Sequence, residues 1–499
     1  MVRLGRTLTI EDVVRVARGE AVSFGRGTLE RLDQIYQEVT RLASGPDPIY
    51  GVNTGFGSLA RIRIPEKKIA TLQQNLIESH CAGVGRPLST EIVRAAMVIR
   101  INTLLRGYSG VRSVVVKLLA GMLNRKIHPI VPAQGSVGAS GDLAPTAAIG
   151  AVMIGKGKAE YQGRIYPGRI ALKKAGLRPI RLGPKEGLAL LNGTQFMAAL
   201  GTIGLARLEN LLRHSDLAGA ISIDGLRGTD RCFDPKLTGL RPYPGMIQVA
   251  RNLRQILKGS QILRSHRRCG KVQDPYSLRC IPQVHGSVRE AYRFAKGIFE
   301  REINSVTDNP VLIPEKGFLS GGHFHGQPLA YTLDFLTIGV SHLASISERR
   351  IARLLDHNLS GLPPNLTENP GLNSGLMILQ LTAAALTAEN RTLSHPASVE
   401  SIPTSANQED FVSMGMNSGL KFLDALINLR RILAIEIICG LQAIEFLRPL
   451  TSSPVIERVR RRVRRKVPFI RKDRELTSYV ESLATVIESG QLLKGLPIK

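Results

Sequence analysis

The chain has no tryptophan, and aromatic residues make up only 5% of its 499 positions. Binders of single-stranded nucleic acid stack bases on aromatic side chains, so this composition supplies such a platform poorly. Cysteine is scarce too. Cys81, Cys232, Cys269, Cys280 and Cys439 are an odd count and form no CxxC pair. That argues against a disulfide framework and against a zinc site, and fits a reducing compartment, so a cytoplasmic location is expected. No apolar run approaches the ~18 residues that read as a membrane span. Arg3, Arg6, Glu11 and Asp12 break the N-terminal segment, which therefore does not read as a secretory signal. Acidic residues are in deficit, 40 against 67 Lys and Arg, for a formal charge of +27. What is present is ordinary globular usage, 43% hydrophobic and 21% charged, which excludes disordered and fibrous classes.

The positive charge raises the question of a polyanion partner. Its densest run is Arg458-Val-Arg-Arg-Arg-Val-Arg-Arg-Lys466, inside a segment of helical periodicity. A solvated helix face accounts for it, and nucleic acid is not expected as a partner. From about 195 onward the apolar spacing predicts long helices over 196–217, 286–303, 328–355, 372–393 and 415–447, with a last helical region at 455–493. The 415–447 segment is apolar nearly all round and should be deeply buried. Glu436 and Glu445 within it would then need partners. The first ~190 residues mix loops and helices, with glycine clusters at 51–57, 83–85, 107–110 and 135–141. The expected organisation is a domain over 1–194 and a helical bundle over 195–499. Long helices need neighbours on most sides, so oligomerisation is expected.

The segment Gly135-Ser-Val-Gly-Ala-Ser-Gly-Asp-Leu-Ala-Pro145 carries the chemistry. Glycines and small residues can simply make a turn, with Asp142 capping a helix that starts near Pro145. A P-loop is excluded because no Gly-Lys-Ser/Thr follows. A sharper reading uses the backbone. In a compressed turn the nitrogen of Gly141 can attack the carbonyl carbon of Ala139 and close a five-membered ring. Loss of two waters, one with the Ser140 hydroxyl, leaves a 4-methylidene-imidazol-5-one, an electron-poor alkene. Gly141 has no Cβ to obstruct that approach. A helix starting just after would aim its positive end at the electrophile.

This segment resembles the signature of the aromatic amino acid ammonia-lyases and aminomutases, which build that prosthetic group from Ala-Ser-Gly. The resemblance spans nearly the whole chain. It implies a mainly α, fumarase/aspartase-like fold, no dissociable cofactor, no metal, and a homotetramer whose sites draw on more than one subunit. Tyr50-Gly-Val-Asn-Thr-Gly-Phe-Gly57 resembles the family's mobile lid, with Tyr50 as the base. Free tyrosine ionises near ~10, so a base working at neutral pH needs about 3–4 kcal/mol of help. A helix terminus gives at most ~2 kcal/mol, so alkaline activity is expected. Asn192, in Glu186-Gly-Leu-Ala-Leu-Leu-Asn-Gly-Thr-Gln195, resembles the asparagine that hydrogen-bonds the group. Val272-Gln-Asp-Pro-Tyr-Ser-Leu-Arg-Cys280 resembles a block that would supply Gln273, Tyr276 near the reacting amine, and Arg279 for the substrate carboxylate. Gly321-Gly-His-Phe-His325 resembles the family's Gly-Gly-Asn-Phe-His, with Phe324 against the group and His323 a departure.

The ring-facing residues imply the substrate. Ser79-His80 and Glu409, in Thr404-Ser-Ala-Asn-Gln-Glu-Asp-Phe-Val-Ser-Met414, resemble the histidine-type members. Phe411 departs from the histidine expected there. A phenyl ring would leave both polar groups unpaired, at about 1–3 kcal/mol each. The expected reaction is deamination of L-histidine to trans-urocanate. A tyrosine ammonia-lyase or tyrosine 2,3-aminomutase is the alternative.

Overall fold

The computed structural model describes residues 1–267 and 269–498. Their chain divides into two compact units. The first holds Met1–Ala206, Lys296–Asp334 and Pro396–Leu420; the second holds Arg207–Ala295, Phe335–His395 and Lys421–Lys499. The sequence passes from one set of residues to the other at five points, four of them inside the helices Gln195–Gly225, Ile281–Glu302, Gln327–Leu355 and Gly415–Glu445 and the fifth between His395 and Pro396.

The fold is mainly α. Strands are short, and every sheet among the described residues has two or three of them. Val2–Leu4 pairs in parallel with Val22–Phe24, and the other sheets are antiparallel. In the first unit the core helix Thr90–Leu105 is buried on all faces from Ile92 to Leu105. Its Arg94 is buried as well, and its guanidinium donates to the carbonyls of Val16 (2.8 Å) and Leu123 (2.9 Å). Carbonyl acceptors of this kind offset the cost of removing a cation from water.

The predicted helices largely form. The segment at 196–217 extends to Gln195–Gly225, and that at 286–303 becomes Ile281–Glu302. The 372–393 segment starts later, at Met377, because Ser374 and Gly375 donate their N–H groups to the Asp473 carboxylate and hold a turn. The region 455–493 is not one helix but two, Pro454–Arg464 and Thr477–Glu488.

In the second unit Glu436 is fully buried, as its apolar surroundings in the sequence require. It accepts from Arg350 through Nε (2.5 Å) and Nη2 (2.9 Å), and from the Ser222 and Ser347 hydroxyls. Glu445 is met by Arg460 (3.0 Å) and Arg464 (3.2 Å). The basic helix Pro454–Arg464 is therefore a stapled element. Arg458 donates to the Gly495 carbonyl, and Arg462 to those of Leu492 and Lys494.

Candidate active site

Residues 135–142 form a turn with repeated left-handed backbone. Gly138, Ser140 and Gly141 have φ of +85°, +51° and +86°. Ser140, the only side chain among them, sits where L residues are strained. The Ser140 carbonyl accepts from Gly193 N–H (3.0 Å), and Asp142 N–H donates to the Gly193 carbonyl (2.8 Å). A Cβ on Gly141 would run into that Gly193 carbonyl, and one on Gly193 would run into Thr307. Two glycine backbones are thus pressed together. The helix Leu143–Met153 starts immediately after the turn.

Asp142 occupies the N-cap position of that helix but makes no cap bond there. This corrects the sequence expectation. Its Oδ2 instead accepts from the N–H groups of Phe196 (2.8 Å) and Met197 (3.0 Å), capping the Gln195–Gly225 helix. The carboxyl is fully buried, and burial pushes its pKa up to about 7, against the pull of those two N–H groups.

Behind the turn lies a buried polar network that the sequence did not reveal. Asn192, 2% exposed, donates from Nδ2 to the Asn309 carbonyl (2.5 Å). Asp308 accepts from Lys185 Nζ at 3.0 Å on both oxygens, with both side chains fully buried. The Gln195 amide, oriented to satisfy its neighbours, donates to the Gly193 carbonyl (3.1 Å) and accepts from Arg100 Nη1 (2.5 Å). Burial lowers the Arg100 guanidinium to about 10, although Asp308 attracts it. Segment 307–309 is therefore held to Lys185 by an ion pair and to Asn192 by a hydrogen bond, with the Arg100 charge attracted to Asp308. Asp308 is 123 residues from Lys185, a separation that leaves no local sequence signal.

The structure groups Tyr50, His80 and Glu409. Tyr50 is half-buried, and its hydroxyl oxygen accepts from Gly57 N–H (3.0 Å). Burial raises its pKa, the Gly57 bond opposes this, and the negative charge of Glu409 raises it further. Burial lowers the pKa of His80, while Glu409 pulls the other way. His80 ends the helix Ile69–His80, with Nδ1 2.9 Å from the Leu76 carbonyl. A neutral ring therefore carries its hydrogen on Nδ1, donates it to Leu76, and keeps Nε2 as an acceptor. Glu409 Oε2 accepts from the Thr404 hydroxyl (2.9 Å), and the backbones of the two residues pair. Between them Ser405, Ala406 and Asn407 all have positive φ (+51°, +52°, +65°), a strained run that turns Glu409 back onto Thr404.

The lid is seated. Ser58 N–H donates to Ser405 Oγ (3.3 Å), and Gly51 O accepts from Gln73 Nε2 (3.0 Å). Phe324 is half-buried and His323 exposed. His325 Nδ1 accepts from Gln327 N–H (3.3 Å), so its Nε2–H donates to the Phe411 carbonyl (3.2 Å), and the two rings stack 6.0 Å apart. Phe411 thus fixes His325, a link absent from the sequence reading.

Gln273, Tyr276 and Arg279 belong to the second unit. A short helical turn, Tyr276–Arg279, sets the Arg279 guanidinium over the Tyr276 ring at 4.7 Å. Tyr276 is 72% exposed, and Gln273 is exposed.

The profile of the aromatic amino acid lyase family matches residues 8–465. The chain belongs to that family. Within it, the chain is 48% identical to the histidine ammonia-lyase of Myxococcus xanthus over 494 residues, covering 99% of this chain and 97% of that one. It is 47% identical to the histidine ammonia-lyase of Koribacter versatilis, covering 98% of each. Among solved structures it resembles histidine ammonia-lyase from Trypanosoma cruzi (TM-score 0.91, 38% identity, 99% of this chain and 94% of that one). It also resembles tyrosine aminomutase from Streptomyces globisporus (TM-score 0.93, 35% identity, 99% and 98%).

Proposed function

We propose that the protein is a histidine ammonia-lyase that converts L-histidine to trans-urocanate and ammonia. The observation that carries this reading is the pair of acceptors, His80 Nε2 and the Glu409 carboxylate, in one group with Tyr50. Glu409 Oε2 is engaged by Thr404, leaving Oε1 as an acceptor. At alkaline pH the imidazole is neutral and offers one N–H donor, and beside the Glu409 carboxylate it alone among these rings can also gain positive charge. A phenol offers one O–H and a phenyl ring none, so histidine suits this end best and phenylalanine worst. The nearly full-length identity to histidine ammonia-lyases supports the same choice.

The residues of the 139–141 turn fit the family's prosthetic group. Consecutive positive φ at Ser140 and Gly141 compress the turn, and only glycine fits at 141. Once formed from Ala139, Ser140 and Gly141, the 4-methylidene-imidazol-5-one supplies an electrophile for the substrate amine. The chain's other residues then have distinct tasks. Arg279 offers its planar fork to the substrate carboxylate. Tyr50 removes the β-proton, and its raised pKa places activity in the alkaline range. Asn192, whose Nδ2 donates one hydrogen to Asn309, would use the other to hydrogen-bond and polarise the group. Phe324 packs beside it. Gln273 and Tyr276 meet the substrate near its amine. A 72% exposed tyrosine supports a homotetramer in which Tyr276 and its neighbours complete another subunit's site. The five free cysteines support a cytoplasmic location.

The direct test is an absorbance assay at alkaline pH with both amino acids. Urocanate from histidine, with negligible coumarate or β-tyrosine from tyrosine, is the expected result. Turnover of tyrosine alone would reject the reading.

A further inference from the structure

A second, unassigned cavity opens on the first unit. It has a volume of about 590 Å³ and is lined by Arg6, Arg26, Arg31 and Arg106 together with Thr28 and Tyr108. No carboxylate lines it. Arg6 spends part of its charge on Asp12 (2.9 Å). Arg31 donates to the Arg106 carbonyl (2.9 Å), and the Arg106 Nε is buried without an acceptor. The cavity also receives the start of the 16-residue helix Thr28–Ala43, whose N-cap, Gly27 (φ +74°), supplies no side-chain acceptor. The positive end of the helix dipole therefore faces the same space as four guanidinium groups.

Arg6, Arg26 and Arg31 are exposed and Arg106 half-buried, so water screens their mutual repulsion, while an anion among them would gain from all four. Guanidinium forks and helix N-termini both match phosphate oxygens. A neighbouring cavity of about 660 Å³ shares Arg31, Arg106 and Tyr108 and continues over Ile35, Leu42 and Leu312. Two carboxylates line it: Glu38, already held by Arg41 at 2.7 and 2.5 Å, and Glu315, next in sequence to the lining Lys316. Both volumes are in the range of small-molecule sites. None of these residues belongs to the group around Tyr50 or to the 139–141 turn.

We propose that the paired cavities bind a phosphate-bearing small molecule with an apolar or aromatic part. The phosphates would sit among Arg6, Arg26, Arg31 and Arg106 at the Thr28 helix terminus, and the apolar part beside Tyr108, Ile35 and Leu312.

The experiment is titration calorimetry on the full chain with ATP, inorganic triphosphate and adenosine. The expected result is one ATP per chain, triphosphate weaker, and no heat from adenosine. R26A and R31A should each weaken ATP about tenfold or more. T28E is a second kind of variant, because a carboxylate at a helix start favours the helix. It should keep the thermal midpoint and lyase activity while abolishing ATP binding. R461A, far along the sequence on an exposed position, should bind like the parent. Three outcomes would overturn the proposal: no ATP binding, binding unchanged by R31A and T28E, or triphosphate binding as tight as ATP. The second would mark general attraction to a +27 chain, and the third would leave the apolar cavity without a role.

Discussion

Glu409 has two effects at once, because the charge of one carboxylate acts on two titrating neighbours, Tyr50 and His80. In the proposed function it presents an acceptor to the substrate ring, and its negative charge makes the Tyr50 phenolate harder to form. Glu409→Gln should therefore raise the KM for histidine about tenfold or more, consistent with roughly 1–3 kcal/mol for a buried polar partner lost. Removing a like charge also lowers the Tyr50 pKa, so the ascending, low-pH limb of the pH profile should move to lower pH; a steady-state pH series reads both changes. His80, shifted down by burial, stays neutral across that alkaline range. Lys185 makes the complementary case. Lys185→Met strands Asp308 as a buried charge, at a cost of about 3–5 kcal/mol. Denaturant unfolding should show this loss, and the clamp on Asn192 should loosen with it. The motif residues were legible in the sequence because their types are dictated by chemistry at contiguous positions. Lys185, Arg100 and Asp308 were not, since each is an ordinary residue until the fold buries it beside its partner. The target of Asp142 escaped for the same reason: 54 residues separate it from Phe196.

At the scale of elements, helix existence followed from apolar periodicity, whereas helix ends followed from contacts the sequence does not display. Met377 begins its helix late because Asp473, about a hundred residues on, holds the preceding turn. The 455–493 region is two helices, an interruption that the periodicity did not show. The arginine run at 458–466 was read as a solvated face. Part of it instead serves as a staple, for Arg460 and Arg464 converge on Glu445, and burial of that carboxyl is outweighed by their charge, so its pKa falls below the ordinary value. The sign follows: a lowered carboxylate contributes stability above its unfolded pKa and loses it as pH drops toward the folded one. Glu445→Gln should therefore destabilise the protein at neutral pH by about 1–3 kcal/mol, with the difference from the parent shrinking in acid; thermal melts at two pH values measure this.

For the whole molecule, the sequence carried the mainly α class and the resemblance carried the architecture. The two compact units alternate along the chain in six segments rather than dividing it at one linear point, which no composition shift marks. Light scattering on the purified protein should give four chains per particle, and a monomer with full activity would refute a shared site. The central claim is that Ala139, Ser140 and Gly141 condense into an electrophile. Intact-mass spectrometry of catalytically active protein tests it most directly. The account predicts a chain lighter than its sequence by two waters, about 36 Da, with Ser140→Ala restoring the full mass and ending urocanate production. An active chain at full sequence mass would contradict it.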